Sequence, residues 1–243
     1  MADFAVESAT ILSARIRRAR EVEAARAANV PPHLVRLYVE ADVETVIFGS
    51  DPVARRISYL VDLPRTAQGR APRVKKQHVL LFARRLSAVD QLQLVQPSAQ
   101  RLWSAGDEAT ARSIARELAR GAPPPAITGV AQAFHVPGTV EGESETQIFL
   151  STATAQMVSL TILRRPAQAP RWAAAFGEIV DESAAIPAPR TIAWYRLACG
   201  LPGRLPGAAV AGLASADAAI AAADYAMVVR AVGPCDRSAP ATP

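Results

Sequence analysis

Apolar and polar positions alternate most clearly between Val35 and Ile47. The odd positions there (Val35, Leu37, Val39, Ala41, Val43, Thr45, Ile47) suit a core, and the even ones carry Arg36, Tyr38, Glu40, Asp42 and Glu44. A period of two puts these rows on opposite faces of a strand. The run is longer than the usual ~5–6 residues, so it implies a large, curved antiparallel sheet with one wet face. Ile57, Tyr59, Val61 and Leu63 alternate in the same way after the Gly49-Ser50-Asp51-Pro52 turn. Val74–Ala83 contains Val79-Leu80-Leu81-Phe82, apolar on both sides, which predicts a strand covered on both faces. Leu92, Leu94 and Val95 offer a short strand. Sequence neighbours usually pair, so these strands are expected to form a meander.

Residues 4–28 carry two periods. Val6 to Ile16 alternate, whereas the Ala/Arg/Glu-rich continuation through Ile16, Ala19, Val22, Glu23 and Arg26 has helical character. A strand to about Ile16 followed by a short helix is the expectation. Further on, Asp107 and Glu108 open a helix with the stripe Ala111, Ile114, Ala115 and Leu118, closed near Gly121. A second strand group follows at Ile127–His135, Thr146–Leu150, Met157–Leu163 and Trp172–Ile179. Two helices end the chain: Thr191–Gly200, and one capped by Ser215 with Ile220, Ala223, Met227 and Ala231 inward. The fold class is therefore α+β: a large antiparallel sheet, barrel-like or two-lobed, with one mid-chain helix and two C-terminal helices. A single domain is expected over residues 1–237, with a lobe boundary near 121–126 and a disordered tail at 238–243.

Composition narrows the function classes. Half of the 243 residues are apolar and a fifth charged, which suits a real core. No apolar run is long enough to span a bilayer, Gly212, Ser215 and Asp217 interrupting the nearest one, so the chain reads as soluble. The net charge of +5 invites a nucleic-acid reading. Lys75 and Lys76 are the only lysines, however, and the arginines occur as scattered pairs (Arg17–Arg18, Arg55–Arg56, Arg84–Arg85, Arg164–Arg165) rather than one tract. Aromatic residues, at 5%, are too sparse for a base-stacking platform. Composition argues against nucleic acid, while an arginine-mediated binder of an anionic polymer would need Arg55, Arg56, Arg84, Arg85, Arg164 and Arg165 on one face.

Cys199 and Cys235 are the only cysteines, each at the end of a predicted helix, and permit one pairing. Bridged, they imply an extracytoplasmic protein whose export signal has been removed. As two thiols they fit the cytoplasm, which the chain as given also indicates, since Met1-Ala2-Asp3-Phe4 opens no export signal.

Candidate chemistry is thin. His33, His78 and His135 have no partners at metal-ligand spacing, so no metal is expected. Gly200-Leu201-Pro202-Gly203 lacks the context and lysine of a phosphate loop, and no cofactor is expected. His135 precedes Pro137-Gly138 and an acidic loop with Glu141, Glu143 and Glu145. An imidazole beside a carboxylate can act as a base, with Ser144 as its nucleophile, although Thr146 stands where a nucleophile elbow needs glycine. The bland alternative is a solvated hairpin loop. Glu40, Asp42 and Glu44 could flank a glycosidic bond or hold a cation. Pairing with Arg55, Arg56, Lys75 or Lys76 across the sheet is simpler. Asp181–Glu182 fits loop chemistry.

The reading that results is a non-catalytic binding or assembly protein for an unknown protein or small ligand, placed in the bacterial cell envelope if the cysteines are bridged. Its rivals are a hydrolase using His135 with a loop carboxylate and the arginine-mediated binder. An exposed apolar patch or an open sheet edge would favour the first.

Overall fold

In the computed structural model the long alternating run is strand β2 (Leu34–Phe48), with Val35, Leu37, Val39 and Ala41 buried. The structure describes residues 1–27, 29–154, 156–177 and 184–235, and only the backbone of Ala24. It contains two antiparallel sheets with helices, a mixed α+β architecture not closed into a barrel. The chain forms two compact units, Met1–Gly121 and Ala122–Asp236.

In the first unit, helix α1 (Ala2–Glu7) precedes β1 (Thr10–Glu21), β2, β3 (Arg56–Pro64), β4 (His78–Arg85), β5 (Leu92–Leu94), β6 (Gln100–Leu102) and helix α2 (Ala105–Arg120). The sheet order is β3-β2-β1-β4-β5, with β6 also on β4. The N-terminal expectation is corrected on two counts. A helix precedes the strand, and β1 runs on to Glu21, so the short helix expected after it is confined to one 3₁₀ turn, Ala24–Arg26. Pairing with β2 as far as Glu21↔Leu37 outweighs the weak helix propensity of the Ala/Arg/Glu run. The meander is also broken, because β4 pairs with β1 rather than β3. Val79 to Ala83 are all buried, as befits a strand covered on both faces. Helix α2 starts slightly before Asp107, at the Ser104 cap, whose side chain accepts the Asp107 N–H at 3.0 Å.

The second unit carries β7 (Ile127–Pro137), β8 (Ser144–Thr152), β9 (Val158–Arg164) and β10 (Arg171–Phe176) in the order β10-β9-β8-β7, then α3 (Ile192–Gly200) and α4 (Ser215–Val232). Val158, Leu160 and Ile162 face a core shared with Leu197, Tyr225, Val228 and Val232. The expected inward stripe of α4 is corrected: Ala221, Asp224, Tyr225, Val228 and Val232 are buried, while Ala223 and Ala231 are exposed. An alanine-rich helix has little amphipathic contrast, so the bulky Tyr225 sets its rotation. Ser215 is the first helical residue and does not cap; Ala214 holds that position without a side-chain bond. Cys199 and Cys235 are bonded, with Cα atoms 4.7 Å apart, tying the end of α3 to the segment after α4. No helix among the described residues is long and apolar enough to cross a membrane. Ile179, Asp181, Glu182 and the 238–243 tail lie outside the described residues.

Candidate functional site

His135 sits on β7 directly opposite Thr146 of β8, and Val136 opposite Glu145. Cross-strand partners share a face and successive residues alternate, so His135 and Glu145 lie on opposite faces of the sheet. His135 is buried on the core side, where its Nδ1 is 2.9 Å from the Thr146 hydroxyl. That hydroxyl donates to Asp224 Oδ2 at 2.6 Å, so the imidazole Nδ1–H donates to Thr146 in turn. Arg164 completes the chain by donating through Nε to Asp224 Oδ1 at 2.8 Å and also through its terminal nitrogen. Asp224 is 0% exposed, so both its oxygens are satisfied inside the protein.

Of the three acids, Glu145 accepts from Gln147 at 2.7 Å, the Glu143 side chain folds over Gly138, and Glu141 is exposed in the turn. The structure thus gives His135 a threonine and a helical aspartate rather than a loop carboxylate. Ser144 lies on β8 opposite Pro137, two residues from the His135 pair. The resulting network is a buried polar tie between α4 and the sheet.

The carboxylate row of β2 is paired. Arg18 reaches Glu40 at 4.0 Å, Arg17 and Arg56 each reach Asp42 at 3.3 Å, and Arg15 reaches Glu44 at 2.7 Å. Arg56 was expected; the other partners come from β1, whose register shift between Ile16 and Arg18 leaves both Arg17 and Arg18 exposed. His78 stacks on Trp103 at 4.5 Å and stands 3.0 Å from Glu44, without the alignment of a hydrogen bond. Among the described residues, no three His, Cys, Asp or Glu side chains converge as metal ligands. Of the six arginines proposed for an anionic polymer, Arg56, Arg84, Arg85 and Arg164 already hold Asp42, Glu7, Asp51 and Asp224.

A recess lies in the first unit, where β3 approaches the 90–97 segment. Odd residues of β3 bond to β2, so the N–H and C=O of Ser58, Leu60 and Asp62 point outward from the sheet edge. Ser58 N–H donates to the Asp90 carbonyl at 2.8 Å, beside an isolated parallel bridge to Gln91, and Asp62 N–H donates to Pro97 at 2.8 Å. Between these two ties β3 advances four residues, from 58 to 62, and the facing segment seven, from 90 to 97. The extra chain bows away to pair with β4, and Leu60 has no pairing partner on that side among the described residues. A cavity of about 600 Å³ opens there.

No family, curated protein or solved structure matches the chain. The groove must therefore be understood from its own chemistry.

Its walls are Leu60, 47% exposed, and Leu86, 42% exposed, with Leu94, Val95 and Pro97. Arg36 donates twice to Asp62, both bonds at 2.7 Å, and Asp62 is only 6% exposed. The hydrogen bond to Asp62 pushes the Arg36 pKa further up, so the guanidinium stays charged and paired. Arg20 lies over the Tyr38 ring at 4.8 Å from its centre. Gln91 and Gln93 add exposed amides. Sequence reasoning passed over these residues, although Leu60 carried a signal: it is the apolar residue on the wet face of a strand whose core row is Ile57, Tyr59 and Val61. Asp224, a lone acid in an apolar helix, carried another.

Proposed function

We propose that this protein is a non-catalytic binding component whose ligand occupies the groove between β3 and the 90–97 segment. The observation that carries this reading is the open stretch of strand edge at Leu60, set in a partly apolar recess. Its volume of about 600 Å³ falls within the size of small-ligand sites, roughly 300–1,000 Å³. The lining combines apolar side chains with a few polar groups already held in place, Arg36 by Asp62 and Tyr38 by Arg20. Such preorganisation spares a ligand the cost of ordering the site. The bond between Cys199 and Cys235 supports a place in an oxidising compartment such as the cell envelope.

Screening the ¹⁵N-labelled protein against a library of uncharged fragment molecules by amide shifts tests the reading. Shifts should cluster at Tyr38, Ser58, Leu60, Gln91 and Gln93, and should vanish in Leu60→Arg, which places a charge at an exposed groove position. Hits scattered over the surface, or gathered around His135, would overturn it.

A further inference from the structure

We infer that the second unit pairs with a second copy of this chain through the outer face of its sheet, opposite the core that holds Leu160 and Ile162. The inference is independent of the groove in the first unit. Strand registers fix the layout of that face. Val136, Glu145, Leu163 and Arg171 lie abreast across β7, β8, β9 and β10, and Phe134, Gln147, Thr161 and Ala173 form the next row. Cross-strand partners share a face, and alternation with the buried Ile148, Leu160, Ile162 and Ala174 turns both rows away from the core. A fifth segment continues the second row. Ala185 exchanges two backbone bonds with Ala174, at 3.0 and 3.2 Å. Ile186 precedes Pro187, which favours extended backbone, so it follows beside Ala173 on the outer face.

Large apolar side chains stand open there: Phe134 is 43%, Leu163 40% and Ile186 61% exposed. Phe134, Val136 and Leu163 border a recess of about 510 Å³. A second copy is selected because this face complements itself. A twofold axis between two such faces, parallel to β9, carries each strand to the opposite side of β9 and keeps every residue in its row. Leu163 then meets the copy's Leu163. Glu145, one strand to one side, meets the copy's Arg171, one strand to the other. Phe134, two strands away, meets the copy's Ile186, which enters the recess. Both charges are available: Glu145 accepts from Gln147 through Oε1 alone, and Arg171 holds no carboxylate among the described residues. The hairpin ends add Glu143 and Arg165, so the face balances two acids against two bases although the chain carries +5. Five segments about 4.8 Å apart, with the hairpin ends, cover roughly 400 Å² per partner, the size of a weak, reversible interface.

Sedimentation of the full-length protein from about 10 µM to about 1 mM tests this. A reversible dimer is expected, with amide shifts at Gln147, Leu163 and Ala173 that grow with concentration. Glu145→Arg and Arg171→Glu should each weaken it at least about tenfold, because like charges then face each other. An equimolar mixture of the two variants should restore it, since every altered charge meets its opposite in the mixed dimer. Leu163→Cys should cross-link to itself through a short bismaleimide, packed sheet faces standing about 10 Å apart, too far for a direct disulfide. Val89→Cys, exposed on the first unit, should not. The cross-link decides even if a charge variant fails to fold. A monomer over the whole range, a dimer indifferent to both charge variants, no rescue on mixing folded variants, or equal cross-linking at position 89 would overturn the inference.

Discussion

Asp224 shows how much one side chain can decide. It is fully buried on α4 and accepts from Thr146 and Arg164, which lie 78 and 60 residues away in the chain. Asp224→Ala should destabilise the protein by about 3–5 kcal/mol, since it strips Arg164 of its partner while alanine itself suits the helix. Thr146→Val keeps the shape but breaks the link between His135 and Asp224, and should cost about 1–3 kcal/mol. Urea unfolding of the two variants measures both. Tyr225, on the same helix, donates to the Pro202 carbonyl at 2.6 Å, and burial pushes its pKa up to about 12. The folded state thus favours the neutral phenol more than the unfolded chain does. That stabilisation is complete below the ordinary value of about 10 and is lost as pH rises towards 12. Unfolding followed from pH 8 to 12 should show the decline, and Tyr225→Phe should flatten it. None of these partnerships is legible in sequence, because nothing local links position 224 to positions 146 or 164.

At the scale of elements, α2 was the most legible, since its ends and its stripe are local features. Ser104 caps it, and Ser104→Ala should lower stability by about 1 kcal/mol in thermal or urea unfolding. Glu108, in its first turn, accepts from the Trp103 indole and from Arg112, and the Trp103 bond leads in holding its pKa below the ordinary 4.5. A carboxylate favoured in the folded state contributes stability above its unfolded pKa and loses it as pH falls through the folded one. The melting temperature should therefore fall as pH drops below about 4.5, and Trp103→Phe should make that fall shallower. The strands with strict alternation were legible for the same local reason. The N-terminal segment was not: its helix-favouring composition competes with ten residue pairings to β2, and the sheet prevails. In α4, alanine on every face left the rotation of the helix undetermined until the core was assembled.

For the molecule as a whole, the bond between Cys199 and Cys235 closes a separation of 36 residues. On the chain-entropy account, a loop of that size stabilises by about 4 kcal/mol. Protein isolated from its native cells should resist alkylation until reduced, by intact mass, and Cys199→Ser with Cys235→Ser should lower unfolding free energy by about that amount. Free thiols in native protein would remove the support for an oxidising compartment. By itself, the sequence determined which segments are strands or helices wherever a single period dominates, as in β2, β9 and α2, because alternation and helical spacing are set by neighbours a few residues apart. It also confined the two cysteines to one pairing. Tertiary structure alone decided that β4 lies beside β1, that His135 turns to Thr146 instead of the acidic loop, and that seven residues face four across the edge at Leu60. These outcomes depend on contacts between distant segments, where packing and the demand to satisfy buried polar groups outweigh any local preference.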